Sequence, residues 1–347
     1  MLKWLLACTT LVPQDDGATT DDKVSTDDTT PPDSTPTTPD TAGTPTDTAV
    51  STSTSAIEFD CDSIPFEPTS NQQIDGARGY HDLAFTPDGL VIGSGNGNTN
   101  LITSDYAGNT NLFVPGIGGL EQLAWLPNGD LAAASPQYGI VRIGPTGGYT
   151  VIEPNLHPYG LILGPDQQLY AATQAEIWRV DPDTGASVKL LRRGALDRGQ
   201  PRVIAFGLGY TRMLIGTLGG SQGRIYALDL DANYDPVGDP YEFASGVGSG
   251  DYHDGLGVDL CGYLYIPDYS TSALYRVSPD GNQVQKLYDT GLLGGDYGHG
   301  LEWGSGIGGW RTDALYLPLP YGGNHVLELV IGAPSRDDPD QVAINLP

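Results

Sequence analysis

The segments LAFTPDGLVIGSG (residues 83–95) and LAWLPNGDLAAAS (residues 123–135) share the pattern that decides the fold. In each, a short apolar segment leads into a Pro-containing turn with Gly, and a second apolar segment follows. Short apolar segments separated by Asp-Gly or Asn-Gly predict tight β-hairpins. The pattern returns in LILGPDQQLYAAT (161–173), IAFGLGYTRMLIGT (204–217), LGVDLCGYLYIPD (256–268) and LEWGSGIGGWRTDALYLPL (301–319).

The spacing of these hairpins defines an internal repeat. The third residue of each opening strand serves as a marker, and successive markers lie 40, 38, 43, 52 and 45 residues apart, at Phe85, Trp125, Leu163, Phe206, Val258 and Trp303. A third strand follows in every repeat, and a fourth follows in the first five. With no amphipathic helix pattern, this predicts an all-β fold: a six-bladed β-propeller of four-stranded antiparallel blades, favoured over a sandwich or a solenoid. The missing last strand is expected from IPFEP (64–68) or VAINL (342–346).

Composition divides the chain into three regions. Residues 1–8, MLKWLLAC, resemble a lipoprotein-type signal with a lipobox, in which Cys8 is lipidated. Residues 9–57 are mostly Thr, Asp, Pro, Ser and Ala, which cannot bury enough apolar surface to fold, so we predict a disordered linker. Residues 58–347 form the predicted propeller. The sequence thus indicates a bacterial cell-envelope protein, an outer-membrane lipoprotein facing the periplasm or the surface, attached to the membrane through its lipid anchor only.

The charge of the chain limits its partners. The 43 acidic residues outnumber the 16 Lys and Arg, and the formal net charge is -27. Nucleic-acid binding needs a basic protein surface, so we predict that this protein does not bind nucleic acid. An acidic surface suits a soluble monomer that attracts cations.

The chain has three cysteines. If Cys8 is lipidated, Cys61 and Cys261 remain as an even pair in an oxidising compartment, where a disulfide between them is expected. The alternative is two unrelated buried thiols.

Four of the five histidines, His81, His157, His253 and His299, lie just before an opening strand. The opening strand of a propeller blade is innermost, so residues at its start converge on the central channel. Counting four residues back from each marker gives a ring of six positions, His81, Glu121, Tyr159, Arg202, Asp254 and His299. A mixed ring of carboxylates and imidazoles is suited to one divalent cation, calcium or zinc, or to acid–base chemistry. The competing interpretation is a polar channel whose side chains only bond neighbouring blades.

These positions give the candidate site residues. We assign Asp254, Glu121 and His299 as candidate catalytic groups, and His81, Glu121 and Asp254 as candidate metal ligands. The candidate ligand-binding residues are Tyr159, Arg202, His157 and His253, with Arg202 available for a substrate carboxylate.

Two segments resemble a known family. HDGLGVDLCGYLYIPDYSTSALYRVSPDG (253–281) is similar to a blade of the regucalcin and gluconolactonase family, and HPYGLILGPDQQLYAAT (157–173) resembles both that family and, more weakly, NHL-repeat and streptogramin-lyase propellers. The resemblance implies one divalent cation held by a Glu, two Asn and an Asp, with the Asp also serving as base. Asp254 matches that Asp, whereas His81 stands at the Glu position, and Glu121 and Tyr159 stand at the Asn positions.

Two classes of function follow. The first is a propeller that binds a small molecule or a protein partner at its channel face without catalysis. The alternative is a divalent-metal-dependent hydrolase or lyase, acting on a lactone or ester through the His/Glu/Asp ring. A propeller that serves as a structural spacer is a third interpretation.

Overall fold

The fold is a ring of six β-sheets with four antiparallel strands each. The computed structural model describes residues 59–95, 98–220, 222–249, 252–293, 297–321, 323 and 325–336. The predicted signal (1–8), the whole of the predicted linker (9–57) and the segment VAINL (342–346) lie outside the described residues. The six-bladed, all-β prediction is confirmed.

In the described part of the chain, twenty-four strands build the blades. Blade 1 is β2 (Leu83–Phe85), β3 (Val91–Ser94), β4 (Leu101–Ser104) and β5 (Thr110–Val114). Blade 2 is β6 (Leu123–Trp125), β7 (Leu131–Ser135), β8 (Gly139–Ile143) and β9 (Tyr149–Glu153), and blade 3 is β10 (Gly160–Leu163), β11 (Leu169–Ala172), β12 (Ile177–Val180) and β13 (Ser187–Leu191). Blade 4 is β14 (Gln200–Phe206), β15 (Arg212–Leu218), β16 (Ile225–Asp229) and β17 (Tyr241–Ala244). Blade 5 is β18 (Gly257–Val258), β19 (Leu264–Asp268), β20 (Ala273–Val277) and β21 (Val284–Asp289).

Blade 6 is completed from the N-terminal side of the chain. Its inner three strands are β22 (Glu302–Trp303), β23 (Ala314–Leu319) and β24 (His325–Val330), and its outer strand is β1 (Ser70–Asp75), which pairs with β24 from Ser70↔Val330 to Asp75↔His325. The expected IPFEP segment is therefore not the closing strand. With β1 in place, blade 6 has four strands, like the other five blades.

The helices that the structure describes are short 3-10 turns at Cys61–Ser63, Leu208–Tyr210, Tyr269–Thr271 and Thr290–Leu293. Among the described residues, none is long and apolar enough to cross a bilayer.

The core lies between the blades. The middle strands are buried on both faces because each blade packs against two neighbours, so β7, β11 and β23 are buried along their whole length. The outer strands show little alternation of buried and exposed residues and are mostly exposed, as in β5 and β13. This packing brings the starts of all six inner strands to one end of the channel, which we call the ring face.

A disulfide joins the N-terminal segment to blade 5. Cys61 and Cys261 are bonded, with their Cα atoms 5.7 Å apart and a sequence separation of 200. The predicted pair is confirmed.

Candidate functional site

The six predicted ring positions lie together on the ring face. His81, Glu121 and Tyr159 precede β2, β6 and β10, Arg202 lies in β14, and Asp254 and His299 precede β18 and β22. Contacts link each member to at least one other, as the following distances show. The prediction from the marker spacing therefore gave the correct set of neighbours.

An ion pair between blades 4 and 5 is the centre of the ring. The guanidinium of Arg202 contacts Asp254 Oδ1 through Nη2 at 2.5 Å and through Nε at 2.6 Å. The other carboxylate oxygen, Oδ2, lies 2.9 Å from His299 Nδ1. All three side chains are 2–3% exposed. Arg202, Asp254 and His299 thus form a buried triad in which the carboxylate faces a cation on one side and an imidazole on the other.

Two more titratable groups border this triad. Glu121 Oε2 lies 3.2 Å from His81 Nδ1 and 3.8 Å from Arg202 Nη2. The His81 ring meets the His299 ring edge to face, with centroids 5.0 Å apart. The side chains of His81 and Glu121 are 17% and 11% exposed, so both are less buried than the triad.

Burial separates the protonation states of the two carboxylates. Burial raises the pKa of Glu121 to about 8, although the charge of Arg202 opposes this. Burial would also raise the pKa of Asp254, but the contact with His299 and the charge of Arg202 outweigh it and hold that pKa below the usual value. At neutral pH, Asp254 is therefore ionised and Glu121 carries a proton.

His81 stays neutral for a related reason. Burial, and next the neighbouring His299, lower the pKa of His81 to about 3. The contact between Glu121 and His81 is then one between a neutral carboxylic acid and a neutral imidazole, which can share the proton of the acid.

Apart from His299 Nδ1, which contacts Asp254, two nitrogen atoms of the triad have no hydrogen-bond partner among the described residues. They are Arg202 Nη1 and His299 Nε2, and both are buried. Asp254 beside Nδ1 favours the proton on that nitrogen, which leaves Nε2 as an acceptor. A buried donor and a buried acceptor without partners are costly unless a ligand or water satisfies them.

Tyrosines surround the triad on the ring face. The guanidinium carbon of Arg202 lies 4.5 Å from the ring centroid of Tyr159 and 4.6 Å from that of Tyr252, so it is held between two aromatic faces. Over His299 stand Tyr80 and Tyr321, whose hydroxyl groups are 2.9 Å apart, together with Tyr269. The rim of the channel is therefore mostly tyrosine.

Glycines directly after ring residues allow the inner strands to approach. A Cβ at Gly300 would lie 2.2 Å from the backbone oxygen of His81, and one at Gly160 would lie 2.6 Å from that of Arg202. Neither distance can be accommodated without movement of the backbone, so Gly300 brings His299 and His81 into contact.

Two predicted ligand-binding histidines do not join the ring. His157 is exposed, and none of the contacts that join the ring involves it. His253 is fully buried: its Nδ1 accepts from the Thr217 backbone N–H at 3.0 Å, and its Nε2 lies 3.1 Å from Val247 O, to which it donates. Both ring nitrogens of His253 are thus used by the backbone, so it supports a loop and cannot reach a ligand.

The predicted metal set also changes. Among the described residues, the group with converging metal-ligand atoms is His81, Asp254 and His299, whose atoms lie within 4.8 Å of one another, rather than His81, Glu121 and Asp254. Two imidazoles and one carboxylate are donors suited to zinc, whereas calcium takes six to eight oxygen ligands. Arg202 already neutralises Asp254 and would repel a cation bound there.

The wider cavity of the channel lies beyond the ring. It has a volume of about 500 Å³ and is lined by apolar side chains at the ends of the inner strands, such as Trp125, Phe206 and Trp303. The ring residues are absent from its walls, so the chemistry is concentrated at one end of the channel and the free space at the other.

Three residues of this region were not predicted. Asp82, directly below the ring, is buried, accepts from the Leu123 N–H at 2.9 Å, and has a pKa raised by burial. Tyr269 and Tyr321 lie in the loops between the second and third strands of blades 5 and 6. Those loops return to the ring face, so their position in the repeat could have identified both tyrosines as ring-face residues.

Comparisons with known proteins support the fold. No protein-family model and no curated protein matches the chain. Among solved structures, a gluconolactonase from Xanthomonas campestris has a TM-score of 0.60 at 15% identity, with 76% of this chain and 89% of that chain covered.

Two further solved structures are similar. Regucalcin from Agrobacterium tumefaciens, described as calcium-binding, has a TM-score of 0.58 at 17% identity over 77% of this chain and 96% of that one. An auxiliary nutrient binding protein from Bacteroides thetaiotaomicron has a TM-score of 0.58 at 12% identity over 73% and 69%. Streptogramin B lyase also resembles the chain. At these identities the likeness shows the fold: the chain is a six-bladed β-propeller similar to those of gluconolactonase, regucalcin and streptogramin B lyase.

Proposed function

We propose that the propeller binds a hydroxyl-bearing small molecule, such as a saccharide, on its ring face. The observation that carries this proposal is the pair of buried atoms without partners, Arg202 Nη1 as donor and His299 Nε2 as acceptor. A hydroxyl group accepts one hydrogen bond and donates another, so it complements both atoms at once.

The surroundings of the pair support a saccharide. Tyrosine rings present flat apolar faces beside hydroxyl groups, which suits the alternating character of a sugar ring. A solved structure of similar fold is described as a nutrient binding protein. The fixed guanidinium, held between Tyr159 and Tyr252, needs no reorganisation on binding.

A matched pair of histidine variants tests the proposal. Neutral and acidic mono- and oligosaccharides are screened by thermal shift, and the hits are measured by calorimetry in His299→Gln and in His157→Gln. A ligand that stabilises the wild-type chain and His157→Gln, but binds at least about tenfold more weakly to His299→Gln, supports the site. Equal affinity in the two variants, or no hit among hydroxylated compounds, contradicts it.

A second candidate function is favoured by the Asp254–His299 contact. A carboxylate at Nδ1 of a histidine orients the ring and leaves Nε2 as a general base, and a carboxylic acid with a pKa near 8, such as Glu121, is a suitable general acid. We propose in this case hydrolysis or elimination at a lactone or ester. In a zinc-dependent variant of this mechanism, His81, Asp254 and His299 would hold the metal, His299 would be a ligand in place of the base, and the zinc would polarise the carbonyl group.

The enzymatic candidate is tested with and without added zinc. A panel of lactones and cyclic esters is assayed with dialysed and zinc-supplemented protein, and calorimetry measures zinc and calcium binding. Turnover that is lost in His299→Gln and kept in His157→Gln supports catalysis. No turnover in either preparation rejects this candidate and leaves the binding proposal.

We also propose that the protein lies in a bacterial cell envelope as a lipoprotein. The Cys61–Cys261 disulfide supports an oxidising compartment. Mass spectrometry of the protein isolated from a membrane fraction tests the lipid on Cys8; an unmodified Cys8 in the mature chain would contradict the anchor.

A further inference from the structure

The loop between blades 3 and 4 is the most basic part of an acidic chain. Residues 192–199, RRGALDRG, contain three of the chain's 16 Lys and Arg and one acidic residue. Their formal charges sum to about +2, within a chain whose net charge is -27. The loop runs on the ring face, because it leads from the outer strand β13 to the inner strand β14.

The loop has a fixed shape. Leu191 and Leu196 are buried in the same core cluster, and they hold both ends of the segment between them. The Ala195 N–H donates to Arg192 O at 3.2 Å, and Gly194 adopts a φ of +75°, which suits a tight turn. Arg192 and Arg193 are therefore presented by a rigid turn and remain exposed.

A cavity lies under this turn. It has a volume of about 190 Å³, more than a single water needs, and both Arg192 and Arg193 line it. The side chains of Gln174 and Gln200 add amide donors and acceptors to its walls. The site is thus concave, cationic and able to bond hydroxyl groups.

The single acidic residue of the loop is occupied elsewhere. Asp197 pairs with Arg224 Nη1 at 3.3 Å and accepts from the Tyr226 hydroxyl. Within the described part of the chain, no ion pair involves Arg192 or Arg193. Their positive charges are therefore available to a ligand.

We propose that this cavity is a binding site for the carboxylate or sulfate group of an acidic saccharide. Paired arginines bind oxyanions through several N–H groups at once, and the glutamine amides suit the adjoining hydroxyls. The acidic remainder of the chain opposes docking on an anionic membrane. This inference is independent of the proposed function, because the cavity shares no residue with the triad.

The test uses calorimetry on the full chain with four probes, trigalacturonate, a sulfated disaccharide, inorganic phosphate and phosphatidylglycerol vesicles. Each is measured with the wild type, with R192A/R193A and with the charge-matched control K286A/R311A, which removes two cations from blades 5 and 6. An acidic saccharide is expected to bind, and to bind at least about tenfold more weakly to R192A/R193A and within about twofold of wild type to the control. Added salt weakens it.

Several outcomes would overturn the proposal. No binding of either acidic saccharide, or equal losses in R192A/R193A and the control, rejects the site. Phosphate that binds as tightly as the saccharides rejects the saccharide assignment, and binding to vesicles alone assigns the arginines to a membrane. His299→Gln separates the two sites, since it is expected to keep this binding even if the triad binds nothing.

Discussion

Arg202 and Asp254 form a buried ion pair with two nitrogen contacts at 2.5 and 2.6 Å between neighbouring blades. A charge removed from such a pair leaves its partner buried without compensation. Asp254→Ala is therefore expected to lower the free energy of unfolding by roughly 3–5 kcal/mol. Denaturant unfolding measures it, with Asp183→Ala as control, because Asp183 pairs with Arg142 in the exposed setting where a pair contributes less than about 1 kcal/mol.

A double variant separates the pair from general disruption of the core. Replacing both partners by apolar residues, in Arg202→Met with Asp254→Leu, leaves no unpaired charge and is expected to cost less than Asp254→Ala. A double variant less stable than the single variant would mean that hydrogen bonding and shape, not the lone charge, dominate at this position.

Glu121 gives stability a pH dependence of known sign. Its pKa is about 8 in the fold and near 4.5 in the unfolded chain, so the folded state binds the extra proton and stability falls as pH rises through this window. His81 has a pKa of about 3 in the fold, so its contribution to the stability of the protein is lost as pH falls below about 6.5. Of these two groups, Glu121 is the one that contributes between about pH 6.5 and 8, with a slope of at most about 1.4 kcal/mol per pH unit.

Glu121→Gln isolates this contribution. The variant keeps the size of the side chain and cannot ionise, so its free energy of unfolding is expected to be flatter than that of the wild type between about pH 6.5 and 8. Urea unfolding at several pH values measures both curves. Parallel curves would show that Glu121 ionises normally in the fold.

Gly300 sets the contact between blades 6 and 1. Gly300→Ala places a Cβ 2.2 Å from the His81 backbone oxygen and is expected to cost about 1–3 kcal/mol. Gly148→Ala is the matched control, because a Cβ there meets nothing within 4 Å and its φ is ordinary. Thermal unfolding measures stability, and a shift of the His81 and His299 NMR signals in Gly300→Ala alone would locate the damage. Equal stability of both variants would argue against the close approach.

The disulfide is expected to stabilise the fold through the unfolded chain. Because the sequence separation of Cys61 and Cys261 is 200, the bond closes a long loop, and Cys61→Ser is expected to cost about 3–5 kcal/mol. Cys8→Ser is the control and is expected to leave unfolding unchanged. An unchanged midpoint in Cys61→Ser would mean that the packing of blade 6 alone holds the N-terminal segment.

The ring was predictable because the inner strands repeat. Each blade places the start of its inner strand at the same end of the channel, so counting back from the markers gave neighbours in space. The roles within the ring were less predictable. His253 and Asp254 are adjacent in sequence, yet the pleat of the chain turns His253 to the backbone of a loop and Asp254 to Arg202.

The closing strand was not predictable from its pattern. In β1 (SNQQID), Ile74 is the single buried residue, since an outer strand packs on one edge only and can be almost entirely polar. Segments with more apolar residues, such as IPFEP, are better matches to a typical strand. The position of β1 is determined instead by its pairing with β24, and backbone hydrogen bonds cannot be recognised from amino-acid composition.

The order of Cys61 and β1 along the chain determines where a pulling force would act. Cys61 comes before β1 and is bonded to blade 5, so tension applied to the chain ahead of residue 61 passes through a covalent bond into the body of the propeller. The hydrogen bonds between β1 and β24 then carry none of the load, and the seam of the ring is protected from peeling. Under reducing conditions the same tension would reach β1 first and unzip the propeller from blade 6.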